Sequence, residues 1–345
     1  MSGPTAREGH PLDPGRLRRG LVVVVAIGAA VGALVAVVSG GSQLLAAIVK
    51  LPLSWLALAL AITVASWFGQ GVSFAALTTR GVRGQVRRMT AAFLGGDFPA
   101  LVTPFGSGGI PGGIFALARV GLTAGEAGAV VAMHSLLTAV FFVIVGLVTA
   151  VVLPARLAGS GAVVWSGFGA ILAALAVVGW VALRPHDSAA LLSRVLSSRA
   201  MVRVLGTARV GRLCAAAGRE AELFAAGVRT LTHERPAAMA ISFAGLFFSR
   251  ACVIAVLPVI MYGLGWRGDV LATLATGVGA MVLAVASPTP GGSGTVEAGM
   301  TALLATVAPV PVAGAATLLW RGITFYSEVL VGWVVFSRYL TQRGR

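Results

Sequence analysis

Five stretches of this chain stay apolar for about the 20 residues that carry a helix across roughly 30 Å of hydrocarbon, or for longer: 21–39, 51–77, 127–153, 161–183 and 237–262. A sixth, 312–336, does so with an arginine and a glutamate inside it. Backbone polar groups inside a bilayer must bond within their own segment, so runs of this length predict helices rather than open sheets. Composition agrees: 57% of the 345 residues are hydrophobic and only 11% are charged, against about a quarter in soluble domains. The net charge of +15 would ordinarily suggest nucleic acid. With charges so sparse the chain cannot present a continuous basic groove, and that class is excluded. Cys214 lies in a basic segment and Cys252 in an apolar one, which indicates neither a disulfide framework nor a metal site. Arg16, Arg18 and Arg19 precede the first apolar run as they would in a signal peptide, but the run is long and no Ala-x-Ala closes it. It is expected to be an uncleaved first span, preceded by a disordered cytoplasmic tail over residues 1–20.

Basic residues cluster before the first span (Arg7 to Arg19), after the second (Arg80 to Arg88), along 184–235, and at the C-terminus (Arg338 to Arg345). Lys50, Arg156 and Arg267 are nearly all that fall between the clusters. The positive-inside rule places the clusters, and both termini, in the cytoplasm. Leu191, Leu192, Val195 and Leu196, and then Leu213, Ala217, Phe224, Val228 and Leu231, recur near helical spacing within the basic segment 184–236. Interfacial helices on anionic headgroups and a linker whose charges only set orientation both fit this pattern.

Parity of crossings then constrains two further stretches, 91–118 and 270–308. If 91–118 crossed once, the arginine-rich 184–235 segment would lie outside. Both stretches are interrupted centrally by Gly and Pro, in Thr103-Pro-Phe-Gly-Ser-Gly-Gly-Ile-Pro-Gly-Gly113 and in Ser287-Pro-Thr-Pro-Gly-Gly-Ser-Gly294. Pro removes a helix donor and clashes with the preceding turn, while Gly adds backbone freedom. Each stretch is expected to be a re-entrant helical hairpin, the first opening to the cytoplasm and the second to the outside. The predicted fold is thus an all-α polytopic membrane protein. It has about six full transmembrane helices and two oppositely oriented hairpins, the pattern of an inverted repeat. The expected layout is a membrane half over 21–183, the cytoplasmic segment 184–236, a second half over 237–337 and a tail over 338–345.

Ionisable residues within spans cost about 2.5–3.5 kcal/mol at the helix centre and are functional candidates. Arg250 lies mid-span, Arg321 lies in the last span with Tyr326 and Glu328 following it, and Glu297 opens the returning helix of the second hairpin. Glu297 can lock this helix by pairing with an arginine. Alternatively, Arg250 and Arg321 bind an anionic headgroup, since guanidinium matches phosphate geometry and one acid cannot neutralise two cations. Backbone amides at Gly106, Gly108, Gly291, Gly292 and Gly294 add a potential anion cradle. His134 is expected to be a packing residue, and Asp97 and Glu126 to be interfacial. No serine-nucleophile elbow, zinc-binding His-Glu-x-x-His, phosphate-binding loop with its Lys, or paired acidic metal cluster is present in the sequence.

The run Pro288-Thr-Pro-Gly-Gly-Ser-Gly-Thr-Val-Glu297, followed by Leu318-Leu-Trp-Arg321 and Tyr326, resembles the C-terminal signature of the lysylphosphatidylglycerol synthase transmembrane (flippase-like) family. The Phe224-x-x-Gly-x-x-x-Leu231 run and the Asp97 to Arg119 stretch fit the same pattern, so the resemblance covers nearly the whole chain. It implies a membrane domain that moves a lipid or lipid-linked headgroup between leaflets. It points to Glu297, Arg321, Gly291, Gly292 and Gly294 as functional residues. Two departures matter: no charged residue follows the first break, and no aminoacyl-transferase domain is expected.

The expected function is transport of an anionic phospholipid, an aminoacylated phospholipid or a polyprenyl-phosphate-linked lipid, with substrate contacts from Arg250, Arg321, Glu297, Gly291, Gly292, Gly294, Tyr326, Gly106 and Gly108. The alternatives are an intramembrane enzyme of lipid-linked sugar or phospholipid metabolism, and a non-transporting partner of such an enzyme. Membrane lipids are the expected partners, with a separately encoded lipid-modifying enzyme and a second copy of the chain as further candidates. No cofactor is expected, and the expected location is a bacterial or archaeal cytoplasmic membrane.

Overall fold

In the computed structural model, the described residues are 39–78, 81–152 and 235–341, with isolated positions from 15 to 37 and at 190, 194, 197 and 211. Among them there are helices and no strand. The span expected over 161–183 lies outside the described residues, as does the basic segment 184–236 apart from isolated positions. The described positions of the first span and of the tail before it, from Gly15 to Val37, are helical, and Ser39 begins a turn.

A short helix α1 (Ser42–Val49) precedes the long α2 (Leu53–Leu77), whose start is set by Pro52. Then come α3 (Val86–Leu101), a first break at Pro104–Gly106, α4 (Gly109–Arg119) and α5 (Ala124–Val152). The second half contains α6 (Pro236–Gly263), α7 (Val270–Ala286), a second break at Pro290–Gly292, α8 (Thr295–Ala305), and finally α9 (Val310–Arg321) and α10 (Ser327–Thr341). A π-helical turn, Gly322–Tyr326, joins α9 to α10, so that Val310–Thr341 is one long helix. Among the described residues, four helices are long and apolar enough to cross a membrane: α2, α5, α6 and the α9–α10 helix. Caps define the starts of α5 and α7: Thr123 and Glu126 form a capping box on α5, and the Asp269 carboxylate accepts the Leu271 and Ala272 amides of α7.

Both interrupted stretches are antiparallel helical hairpins. In the first, α3 and α4 approach until a Cβ on Gly96 would stand 2.9 Å from the Gly113 Cα, so only glycine fits. In the second, Gly279 faces Leu303, and Gly299 faces Leu283. With 11 residues each, α4 and α8 are about 16 Å long, too short to cross the hydrocarbon, so neither hairpin is a pair of crossings.

The halves repeat in element order. Pro104 and Pro290, Gly109 and Thr295, and Ala124 and Val310 begin matching elements at a common offset of 186. The breaks also match in conformation. Thr103 and Thr289 are extended, with ψ of 147° and 148°, and the residue after each proline is left-handed: Phe105 at φ 54°, ψ 20° and Gly291 at φ 58°, ψ 17°.

Contacts divide the chain into two compact units. The first comprises Met1–Trp67, Ala91–Val120 and Arg250–Arg345, and so holds both hairpins and the last span. One of its cores gathers Val256, Leu257, Ile260, Met261, Met300 and Trp320; another gathers Phe98, Val102, Phe325, Val329 and Phe336. The second unit comprises Phe68–Thr90 and Gly121–Ser249. Within it Ser73 hydrogen-bonds His134 Nδ1 at 3.1 Å and Ser242 at 2.9 Å, and the Phe74 ring lies 4.5 Å from the imidazole.

Candidate functional site

In the first unit the two breaks meet, Pro104–Gly106 against Pro290–Gly292. Close packing explains a glycine at 291. A Cβ there would enter the Phe325 ring and come 3.0 Å from the Leu101 carbonyl oxygen, in a backbone conformation that L side chains resist. Phe105, the matching residue, occupies the same conformation without being glycine and is 74% exposed.

Glu297 and Arg321 lie beside this junction and are almost completely buried. One Glu297 oxygen, Oε2, accepts the Gly294 amide at 2.8 Å and caps α8, where the helix dipole also favours a carboxylate. The other, Oε1, accepts Arg321 Nε at 2.9 Å. Arg321 Nη2 donates to the Gly291 carbonyl at 3.0 Å, and the guanidinium lies 3.8 Å from the Phe325 ring centroid. Arg321 thus ties the second break, the start of α8 and the π turn together. The π turn carries Phe325 and Tyr326 at the position where they flank the guanidinium, a common use of such turns. The Tyr326 ring is 5.9 Å from the guanidinium carbon, and its buried hydroxyl lacks a hydrogen-bond partner.

The amides of Gly106, Ser107 and Gly108 donate to Thr103 O, Pro104 O and Thr103 Oγ1, and those of Gly292, Ser293 and Gly294 donate to Thr289 O, Pro290 O and Glu297. These donors serve the turns themselves. The positive φ of Gly106, Gly292 and Gly294 and the contact of Gly108 with the Pro99 backbone explain the remaining glycines of the two motifs.

Arg250, at the centre of α6, differs from Arg321. Its Nε is buried and has no hydrogen-bond partner. Its charge acts on two carboxyl groups, Asp97 of α3 and Glu328 of α10, which are within hydrogen-bonding reach of each other. The backbone explains the meeting. Gly332 lets α10 approach α3 until a Cβ would stand 2.7 Å from the Leu94 carbonyl oxygen, and Phe98 packs on Trp333 and Phe336. Asp97 and Glu328 lie about one turn from this crossing.

Sequence reasoning missed this cluster. Expected at the interface, Asp97 instead faces Glu328 near the middle of the Val310–Thr341 span. The premise of one acid for two cations is therefore corrected: three carboxyl groups accompany Arg250 and Arg321. An acid in Gly95-Gly96-Asp97-Phe98-Pro99, within a stretch already assigned to the membrane, was the available signal. Glu126 sits in the α5 capping box, and His134 lies in the second unit.

A family model described as the lysylphosphatidylglycerol synthase TM region matches residues 23–332 of the chain. No curated protein matches it.

Proposed function

We propose that this chain, which belongs to the lysylphosphatidylglycerol synthase transmembrane family, carries a lipid with a phosphate-bearing headgroup from one leaflet to the other. The headgroup would contact Arg250, while the acyl or prenyl chains stay in the surrounding lipid. One observation carries this reading: a guanidinium near the centre of a membrane-spanning helix whose buried Nε lacks a hydrogen-bond partner. Such a group is costly in hydrocarbon, and phosphate satisfies it with paired charge-assisted hydrogen bonds. Glu297 and Arg321 hold the second break in place, and the junction of the two breaks forms the floor on which the headgroup passes. Tyr326 and Phe105 border that floor.

The same reading treats the chain as a transporter rather than an enzyme. It places it in a cytoplasmic membrane with both termini inside, by the distribution of arginines. Anionic phospholipid, aminoacylated phospholipid and polyprenyl phosphate share the phosphate that Arg250 would bind. Vesicles reconstituted with the protein and a fluorescent anionic phospholipid, quenched from outside, test the proposal. Wild type should expose inner-leaflet lipid, Arg250→Gln should slow this, and equal rates for the two would overturn it. Competition by the other two lipid classes ranks the substrates.

A further inference from the structure

A cavity of about 550 Å³ opens in the first unit between α1 and the turn after α6, and no residue of the two breaks lines it, nor does Arg250 or Arg321. Its volume is in the range that holds a lipid headgroup. On one wall stand Gln43, Ala46, Ala47 and Lys50, three or four residues apart on one face of α1 and its C-cap. Residues 263–265 form the facing wall.

The amides of that turn are already engaged. Gly265, at φ 85°, lets the Leu264, Gly265 and Trp266 amides close back on the Ile260, Tyr262 and Met261 carbonyls. Arg267 Nη1 donates to the Tyr262 and Trp266 carbonyls, and the Asp269 carboxylate caps α7. Lys50 differs from both. Its side chain is exposed, and among the described residues no carboxylate pairs with it. The ammonium is therefore the free charge on the cavity wall, and an anion complements it.

The surroundings set the level of the cavity in the membrane. Trp55 stacks on Tyr262 with ring centroids 6.4 Å apart, and Gly263 packs against Trp55. Trp and Tyr concentrate at the depth of lipid headgroups. Leu45 and Val49, on the side of α1 away from the cavity, are exposed, as is Leu53 at the start of α2. Buried Leu44 fixes this orientation by packing at Gly314. A short helix so placed rests its apolar face on acyl chains and turns its other face to headgroups. Lys50 and Arg267 both belong to the arginine-poor loops, which the positive-inside rule puts outside.

Taking its direction from the transport reading above, we propose that this cavity docks the phosphate-bearing headgroup of an outer-leaflet lipid on Lys50, at the end of the path that passes Arg250. An ammonium binds phosphate as a point charge, which suits a site where headgroups enter and leave.

Lys50 is the only lysine of the chain, so its reaction with an uncharged acetylating ester, read on its own peptide by mass spectrometry, reports this cavity. The full chain is placed in nanodiscs of digalactosyldiacylglycerol, which has no phosphate, with or without phosphatidylglycerol. Phosphatidylglycerol should slow acetylation about tenfold, as a site occupied about nine-tenths of the time would. Ala46→Leu fills the wall and leaves Lys50 in place, so its slowing should shrink to less than about twofold, the part due to surface charge. Gln43→Leu, at the other end of the wall, repeats the test should Ala46→Leu not fold. No slowing in wild type, or equal slowing in wild type and the filled variant, overturns the site. Equal slowing by glycerol phosphate in discs without phosphatidylglycerol overturns the lipid assignment in favour of free phosphate. Protection of Lys50 without lipid movement in the vesicle assay leaves the docking site standing and overturns the transport reading. Lipid movement without protection does the reverse.

Discussion

Arg321 Nε and Glu297 Oε1 lie 2.9 Å apart although 24 residues separate them in sequence, and both side chains are buried. Removing one partner strands the other's charge, so Glu297→Ala or Arg321→Ala should destabilise the protein by about 3–5 kcal/mol. The double substitution Glu297→Leu with Arg321→Met should recover much of this loss. Arg321→Lys should not, because a point ammonium cannot serve Glu297, the Gly291 carbonyl and the Phe325 face together. Thermal unfolding in detergent, followed by tryptophan fluorescence, measures all four.

Gly291 and Gly106 both have positive φ, but their surroundings differ. A Cβ at 291 meets Phe325 and the Leu101 carbonyl, whereas at 106 it meets nothing within 4 Å. Gly106→Ala should cost about 1 kcal/mol, the backbone term alone. Gly291→Ala should cost about 2–4 kcal/mol, with overpacking added. A smaller effect at 291 than at 106 would contradict the packing of the two breaks.

Phe105 holds a left-handed conformation that favours glycine, with its side chain exposed. Phe105→Gly should therefore raise stability by up to about 1 kcal/mol. If the exposed ring borders the headgroup path, the same variant should slow lipid movement. A denaturation curve and the vesicle assay on one preparation separate the two effects.

Arg250 makes no hydrogen bond through its buried Nε, which leaves that donor for phosphate, so its substitution should slow transport per folded molecule. Loss of charge-assisted bonds to phosphate, at about 1.5–3 kcal/mol, corresponds to roughly 10- to 100-fold in rate for Arg250→Gln. His134 should behave in the opposite way. Ser73 and Phe74 pack on its ring, so His134→Ala should lower stability by about 1–3 kcal/mol. The transport rate per folded molecule should stay within about threefold of wild type.

The interrupted hairpins were legible in the sequence because their signals are local. Proline and glycine stop a helix wherever they occur, and Thr103-Pro-Phe-Gly and Thr289-Pro-Gly-Gly carry that chemistry within a few residues. Glu297 was legible for the same reason, since a carboxylate three residues past Gly294 is a helix-start signal. Asp97 was misplaced because a hairpin end and a hairpin interior look alike in a linear count of apolar residues. Its depth became evident only through its contact with Glu328.

Run length, the two Pro-Gly interruptions and the arginine distribution were thus determined by sequence alone. Each depends on how a short segment interacts with lipid, water or its own backbone. Which acid meets which arginine was decided by tertiary structure. Gly332 admits α3 to α10 and brings Asp97 to Glu328, while the π turn and Gly291 close Arg321 onto Glu297. Ion pairing acts over a few ångströms, and these partners are brought that close only by helices whose crossing points are set by side-chain packing far along the chain.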